Sequence, residues 1–216
     1  VPELKEWHGA EGQMTLSGKY VVKGGKAALE VGEMFAADYG NLMGTQLTLK
    51  NGKPSAGDIV LVLKADKSLG QEGYRISIGD VTTVSAATVK GLKWGTRTVL
   101  QMAEQNKPNG GALPNGNIVD TPEYGLRGFM MDCGRKYIPM DYLRSLVKTM
   151  AYYKMNTLQI HLNDNGFRQF FDNDWDKTQA AFRLECDTYP GLTARDGSYT
   201  KKEFIDLQKL AEQYGV

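Results

Sequence analysis

Arg127-Gly128-Phe129-Met130-Met131-Asp132-Cys133-Gly134-Arg135-Lys136-Tyr137 is an apolar run that ends in charge, and Leu158-Gln159-Ile160-His161-Leu162-Asn163-Asp164-Asn165-Gly166 repeats the pattern further along. Between the two runs, Pro139 opens a segment whose Leu143, Leu146, Val147 and Met150 fall on one helical face. Lys148 and Lys154 lie toward its C-terminal end, where the helix dipole favours cations, and Asn156 is expected to close it. After the second run a long stretch leads to Thr200-Lys201-Lys202-Glu203, a capping box. Phe204, Leu207, Ala211 and Tyr214 then share a face ahead of Gly215 as C-cap. Strand, helix, strand, long loop, helix is the order of a parallel βα architecture. A two-stranded parallel sheet leaves both edges unpaired, so the expectation is an unfinished sheet, with self-association through its unpaired strands.

Upstream the pattern changes. Asn106-Lys107-Pro108-Asn109-Gly110-Gly111 and Pro114-Asn115-Gly116-Asn117 are dense in turn formers and Pro122 follows, which puts a domain boundary near 122 and divides the chain into 1–122 and 123–216. In the first part 45–49 and 58–64 read as strands, and 73–78 and 81–86 flank Gly79-Asp80, a two-residue hairpin signal. Ala28, Val31, Phe35 and Tyr39 mark a helix over 26–39. Leu92, Val99, Leu100, Met102 and Ala103 mark another over 92–105, despite Gly95. An antiparallel sheet with two helices makes an α+β domain.

The composition excludes several functions. With 26 Lys+Arg against 25 Asp+Glu over 216 residues, there is no basic excess of the kind nucleic acid requires. The longest clear apolar run, Ile59 to Leu63, is far short of the roughly 20 residues that span a bilayer, so no membrane is expected. Val1-Pro2-Glu3-Leu4-Lys5 has neither a basic nor an apolar leader region, so no signal peptide is expected in these residues. Cys133 and Cys186 are two buried or free thiols, or one bridge; they are too few for a disulfide framework or a structural zinc site. His8 and His161 are the only histidines, and neither a GxGxxG, a phosphate loop nor a GxSxG is present. No metal and no cofactor are expected.

What remains is polar and sits at the C-terminal ends of the two strands: Asp132, Arg135, His161, Asn163, Asp164 and Asn165. That edge is where βα loops converge in parallel barrels. Arg135 offers a planar fork for hydroxyls or a carboxylate, and Asp164 accepts from a hydroxyl or orients a histidine. Two readings stay open: a ligand site, or Asp132 pairing with Arg135 while Asp164-Asn165-Gly166 simply turns the chain. The loop from Asn165 to Ser198 far exceeds the usual ~2–6 residues. Its Phe167, Phe170, Phe171, Trp175, Phe182 and Tyr189 suit either stacking on a sugar face or a satellite core.

Taken with Tyr153-Lys154-Met155-Asn156-Thr157, Tyr189-Pro190-Gly191-Leu192-Thr193 and Tyr199-Thr200, the two quoted runs closely resemble the β-N-acetylhexosaminidases of glycoside hydrolase family 20. Gly73-Tyr74-Arg75-Ile76 and Gly91-Leu92-Lys93-Trp94-Gly95-Thr96-Arg97-Thr98-Val99-Leu100-Gln101 resemble that family's non-catalytic α+β domain. The resemblance implies an α+β accessory domain over 1–122 and, over 123–216, the first βα units of an incomplete (β/α)8 TIM barrel. It implies that Arg135 binds the C3 and C4 hydroxyls of a terminal sugar, that Asp164 pairs with a histidine on a later segment, and that His161 is structural support. It further implies a retaining, substrate-assisted mechanism in which the 2-acetamido oxygen attacks C1, an exception to the two-carboxylate scheme. The partner is then a glycan ending in an N-acetylhexosamine, and the location secreted or periplasmic. The family's adjacent Asp-Glu, orienting group and general acid, has no counterpart, since no Asp-Glu dipeptide occurs in the chain; the expectation is a truncated portion with no catalytic residue of its own. Asn165-Gly166-Phe167 and Lys136 depart from the family's usual residues and leave substrate preference open. The alternatives are a non-catalytic sugar-binding protein on the same fold and a different barrel glycosidase.

Because acid–base catalysis alone normally supplies roughly 10²–10⁴-fold, the 216-residue chain by itself is expected to leave aryl N-acetylglucosaminides intact. Turnover by the purified chain, free of contaminating enzyme, overturns this.

Overall fold

The computed structural model describes residues 3–165, 167–170, 172–174 and 180–216, with the backbone only at 170, 180 and 181. Expectations resting on Val1, Pro2, Gly166, Phe171, Trp175 and the Phe170 ring lie outside the described residues. The chain divides into two compact units, Val1–Gly125 and Leu126–Val216.

The first unit runs β1 (Glu6–Met14), β2 (Lys19–Lys23), α1 (Gly25–Met43), β3 (Thr48–Leu49), β4 (Ile59–Leu63), β5 (Tyr74–Ile78), β6 (Thr82–Ala86), α2 (Val89–Gln105) and β7 (Leu113–Asp120). Its seven strands form one sheet in the order β1-β7-β5-β6-β4-β2-β3. The α+β class stands, but the sheet is mixed rather than antiparallel. β1–β7, β5–β6 and β5–β7 are antiparallel, while β2–β3, β2–β4 and β4–β6 are parallel. A parallel neighbour requires a crossover, and α1, joining β2 to β3 and β4, supplies one.

Three boundaries also moved. The expected strand 45–49 pairs only at Thr48–Leu49. The hairpin pairs Ile78 with Thr82, leaving a three-residue connection, because the Asp80 carbonyl accepts from Gly57 N at 2.7 Å and draws Val81 out of the ladder. The turn formers Pro114-Asn115-Gly116-Asn117 lie inside β7, which is flanked by β1 and β5. Hydrogen bonding to two neighbours overrides the local turn preference there, and from Gly116 on the buried positions alternate through Ile118 to Asp120.

Helices α1 and α2 pack on each other and on the sheet. Phe35, Ile59, Leu61, Ile76, Leu92, Trp94, Leu100 and Ile118 form the core. Gly95 sits in the middle of α2 for a reason of space: a Cβ there would lie 2.5 Å from Val84 Cγ1, so glycine lets the helix rest on β6. Two clusters of buried polar groups join these elements. Arg97 of α2 pairs with Asp38 of α1, and the Tyr74 hydroxyl donates to Asp120 and lies 2.6 Å from the Thr98 hydroxyl.

The second unit runs β8 (Gly128–Asp132), α3 (Met140–Tyr152), β9 (Thr157–His161), β10 (Asn163–Asn165), β11 (Ala180–Phe182) and α4 (Lys201–Tyr214). β8 and β9 are parallel and in register from Gly128↔Thr157 to Asp132↔His161. Leu143, Val147 and Met150 of α3 are buried, as are Leu207 and Tyr214 of α4, and Lys148 Nζ lies 5.8 Å from the Tyr214 ring centroid. The capping box is formed in both directions: Thr200 Oγ1 accepts from Glu203 N at 3.1 Å, and Glu203 Oε2 accepts from Thr200 N at 2.9 Å. Asn156 does not close α3. The helix ends at Tyr153 and a left-handed Lys154 (φ 58), and Asn156 instead exchanges hydrogen bonds with the Arg127 backbone, Oδ1 accepting at 3.0 Å and N donating at 2.9 Å. Arg127 precedes β8 and Asn156 precedes β9, so this side chain staples the two strand entries together. Among the described residues no helix is long and apolar enough to cross a membrane, and both cysteines are free.

Asp58, at the entry of β4, is 99% hidden from solvent. Burial raises its pKa, but Lys50 Nζ and the Ser17 hydroxyl, 2.7 and 2.6 Å away, and the Ser55 N–H outweigh burial and hold the carboxyl at about 2. A carboxyl depressed in the folded state stabilises fully above its unfolded value near ~3.9 and loses that contribution as pH falls toward the folded value. Asp58→Asn is therefore expected to destabilise the first unit at neutral pH and to flatten the fall in Tm between about pH 4 and 2. A variant whose Tm-versus-pH curve runs parallel to wild type over that window refutes the linkage.

Candidate functional site

The register of β8 on β9 places Asp132 beside His161, the last residue of each strand. Just beyond, Cys133 N and Gly134 N both donate to the His161 carbonyl, at 3.0 and 2.8 Å. The turn after β8 thus lies directly on the end of β9. Only glycine fits at 134, since a Cβ there would sit 2.8 Å from Asn163 C and Asp164 N. This contact brings Arg135 to Asp164, which sequence distance alone would not suggest.

Arg135 bridges two carboxylates. Its Nη1 donates to Asp132 Oδ2 at 2.6 Å and its Nη2 pairs with Asp164 Oδ2 at 2.7 Å. Its backbone N donates to the other Asp132 oxygen at 3.0 Å. His161 Nε2 lies 2.8 Å from the Asp164 Oδ2 that Arg135 also uses, and Asn165 N donates to Asp164 Oδ1 at 2.7 Å. The Phe167 ring covers the guanidinium, with its centroid 5.7 Å from Cζ. The three expected residues, Arg135, Asp164 and His161, are therefore brought together, and Asp132 joins them. Asp132 does pair with Arg135, and Asp164 is more than a turn residue. The resemblance pairs Asp164 with a later histidine; in this chain the histidine on that carboxylate is His161, three residues upstream.

The electrostatics follow from these contacts. The hydrogen bond to His161 and the Asn165 N–H hold the Asp164 carboxyl below its usual range. Burial raises Asp132, but the Arg135 backbone N–H and guanidinium outweigh it and leave the carboxyl low. Asp132 in turn pushes Arg135 up. Arg135 stays a cation and the two aspartates stay anions, so the fork is fixed in aim while about 38% of its side chain still faces solvent. A guanidinium has five N–H donors, and two of Arg135's are engaged by carboxylates among the described residues. The remainder suit hydroxyls of a polyol ligand. Among the described residues no group of three His, Cys, Asp or Glu is arranged to hold a metal ion.

The stretch expected to be a long loop is partly structured. β10 pairs antiparallel with β11, and isolated bridges tie Phe182 to Thr193 and Leu184 to Tyr199. Its described aromatics do not collapse into a core: Phe167 and Tyr189 are exposed and Phe182 is half-buried. What pins the stretch is Arg183, which sequence reasoning passed over. Its side chain is fully buried; Nε donates to Cys133 O at 2.7 Å, Nη2 to Gly134 O at 3.1 Å, and Nη1 to Asp196 Oδ1 and Gly197 O at 2.5 and 2.9 Å. The Tyr199 hydroxyl adds a bond to Ile138 O at 2.6 Å. One signal could have exposed Arg183: a lone charge between Phe182 and Leu184 in an otherwise apolar run.

Comparison with known proteins matches both units. Residues 1–121 match glycosyl hydrolase family 20, domain 2, and residues 124–216 match the catalytic domain of glycosyl hydrolase family 20. A β-hexosaminidase of Akkermansia muciniphila is 28% identical over 69% of this chain and 30% of its own length. A β-N-acetylhexosaminidase of Cellulomonas fimi is 27% identical over 91% of this chain and 39% of its own. The chain thus spans well under half of these curated relatives. In fold it superposes along its whole length on 44% of a mutant Streptomyces plicatus β-hexosaminidase in complex with product (GlcNAc), with a TM-score of 0.83 at 24% identity. It superposes likewise on 34% of an exo β-N-acetylglucosaminidase of Vibrio harveyi in complex with N-acetylglucosamine, with a TM-score of 0.80 at 19% identity. With both of its units matched, one after the other, the chain belongs to glycoside hydrolase family 20.

Proposed function

We propose that this chain is the sugar-recognising portion of a β-N-acetylhexosaminidase, which releases terminal GlcNAc or GalNAc from glycans by a retaining, substrate-assisted route. Residues 1–122 act as the non-catalytic domain and 123–216 as the opening of the catalytic one. The observation that carries this is the Arg135 fork, fixed between Asp132 and Asp164 at the C-terminal end of a parallel strand pair and still open to solvent. Such a fork presents charged N–H donors in one plane, the geometry that two adjacent hydroxyls on a pyranose require. Support for the sugar comes from the Streptomyces plicatus and Vibrio harveyi proteins, whose structures hold GlcNAc and N-acetylglucosamine.

In mechanistic terms Arg135 anchors the C3 and C4 hydroxyls. Asp164 holds the fork, and His161 in turn holds Asp164 at the same carboxylate oxygen, so that the carboxylate cannot swing toward the ligand. Asp132 fixes both the backbone and the side chain of Arg135, and Phe167 closes off one face. Anchoring the far edge of the ring orients its acetamido group toward C1, and binding energy at a non-reacting edge is thereby used to position the reacting one. The orienting carboxylate and the acid are not among these residues. The partner is a glycan with a terminal N-acetylhexosamine, met outside the cytoplasm.

Arg135→Ala removes a charged donor, an effect of roughly 1.5–3 kcal/mol per hydrogen bond, so kcat/KM of the full-length protein on an aryl N-acetylglucosaminide should fall at least about tenfold. Arg135→Lys should not restore it, because an ammonium cannot present a planar fork. Wild-type kinetics in Arg135→Ala would remove the residue from the site. Binding of N-acetylglucosamine without any hydrolysis by the full-length protein would favour a sugar-binding protein over an enzyme.

A further inference from the structure

Arg183 is buried without any solvent contact, yet it is no part of the sugar-facing cluster. Burying a guanidinium is costly, and apolar replacements of buried ion pairs are often neutral or stabilising, so stability alone does not explain it. Its partners are more informative than its burial. Nε and Nη2 hold the carbonyls of Cys133 and Gly134, two consecutive peptides of the turn that carries Arg135. The opposite edges of the same peptides are held as well. Gly134 N donates to His161 O at 2.8 Å, and Arg135 N donates to Asp132 Oδ1 at 3.0 Å. Each peptide plane between Cys133 and Arg135 is therefore clamped on both sides, once by Arg183 and once by a site residue. Nη1 finds Asp196 and Gly197, and Cζ lies over the Tyr137 ring, 5.9 Å from its centroid. The guanidinium is itself fixed in orientation.

We propose that Arg183 is the positioning residue for Arg135: through the Cys133 and Gly134 carbonyls it sets where the sugar-binding fork stands. Its link to sugar rests on the function proposed above; its effect on the turn does not. A planar fork is needed for this task, since two donors must point in parallel at carbonyls one residue apart. A lysine keeps the charge facing Asp196 but can reach such a pair only from a single nitrogen. Losing the clamp frees the turn to shift, and displacements of the order of 1 Å in a positioned group cost about 10²-fold in rate.

Two measurements separate this from a merely structural role. In the 216-residue chain, nuclear magnetic resonance of Arg183→Met should show the Arg135 Nε–Hε signal moving toward that of free arginine. Exchange at the Gly134 and Arg135 amides should rise about tenfold or more, while α3 amides remain protected. If the Met variant does not fold, Arg183→Lys is read in the same way. An unchanged Arg135 signal with unchanged exchange at the turn overturns the proposal. In the full-length protein, Arg183→Lys should lower kcat/KM about tenfold when Arg135 is present and less than about twofold in the Arg135→Ala background, because residues acting through one another are not additive. Equal losses in both backgrounds also overturn it. Should Arg135→Ala itself leave kcat/KM untouched, the sugar assignment fails, and the resonance experiment alone decides whether Arg183 sets the turn.

Discussion

The register between β8 and β9, with Asp132 beside His161, is the constraint from which the second unit's chemistry follows. A slip of one residue would send every side chain of one strand to the opposite face, separating Asp132 from His161 and lifting the turn off the end of β9. The register is pinned at both ends. At the entry, Arg127 and Asn156 exchange backbone and side-chain hydrogen bonds; at the exit, the His161 carbonyl accepts from two successive amides. Arg135 reaches Asp164 because these pins hold.

The molecule's charged clusters divide by exposure. Arg97, Asp38 and Asp58 are buried or nearly so, Lys50 reaches Asp58 from a partly exposed position, and these pairs serve the sheet and helices of the first unit. Breaking such a pair is costly because it strands a charge away from water. The Asp132–Arg135–Asp164–His161 cluster is different. Its side chains are 26% to 38% exposed, so solvent screens them and their attraction adds little to stability. What the cluster supplies is direction: a cation held by two carboxylates and still partly open to solvent. Low stabilising value combined with fixed geometry at a strand end is what the proposed sugar-binding role of this cluster rests on.

Arg183 joins the two kinds. It is as buried as Arg97, yet its partners are the carbonyls that carry the exposed fork. The excursion from β10 to Tyr199 thereby does more than connect β9 to α4, since it returns a guanidinium to the peptide carbonyls of the turn that carries Arg135. Among the described residues this stretch is held by the donors and acceptors around Arg183, and Phe167 and Tyr189 remain exposed.

By itself the sequence determined what depends on neighbours along the chain. The β8-α3-β9 order, the Thr200–Glu203 capping box, the Gly215 cap and the helical stripes of α1 and α2 are readable because hydrophobic period and cap chemistry act within a few residues. The cluster of Arg135, Asp164 and His161 was readable for a related reason: parallel strands deliver their last residues to a common edge. Tertiary structure decided what depends on residues far away. Pro114 to Asn117 became the middle of β7 because β1 and β5 flank it; β2 and β4 became parallel because helix α1 crosses over between them, and β6 lies parallel to β4 because the chain reverses twice, into β5 and back through the hairpin. Asn156 turned from helix cap to strand staple once Arg127 lay beside it, and Arg183 acquired its partners from residues some fifty positions earlier. Hydrogen bonds of that range leave no periodic trace in the sequence, because their donors and acceptors are mostly backbone groups that every residue carries.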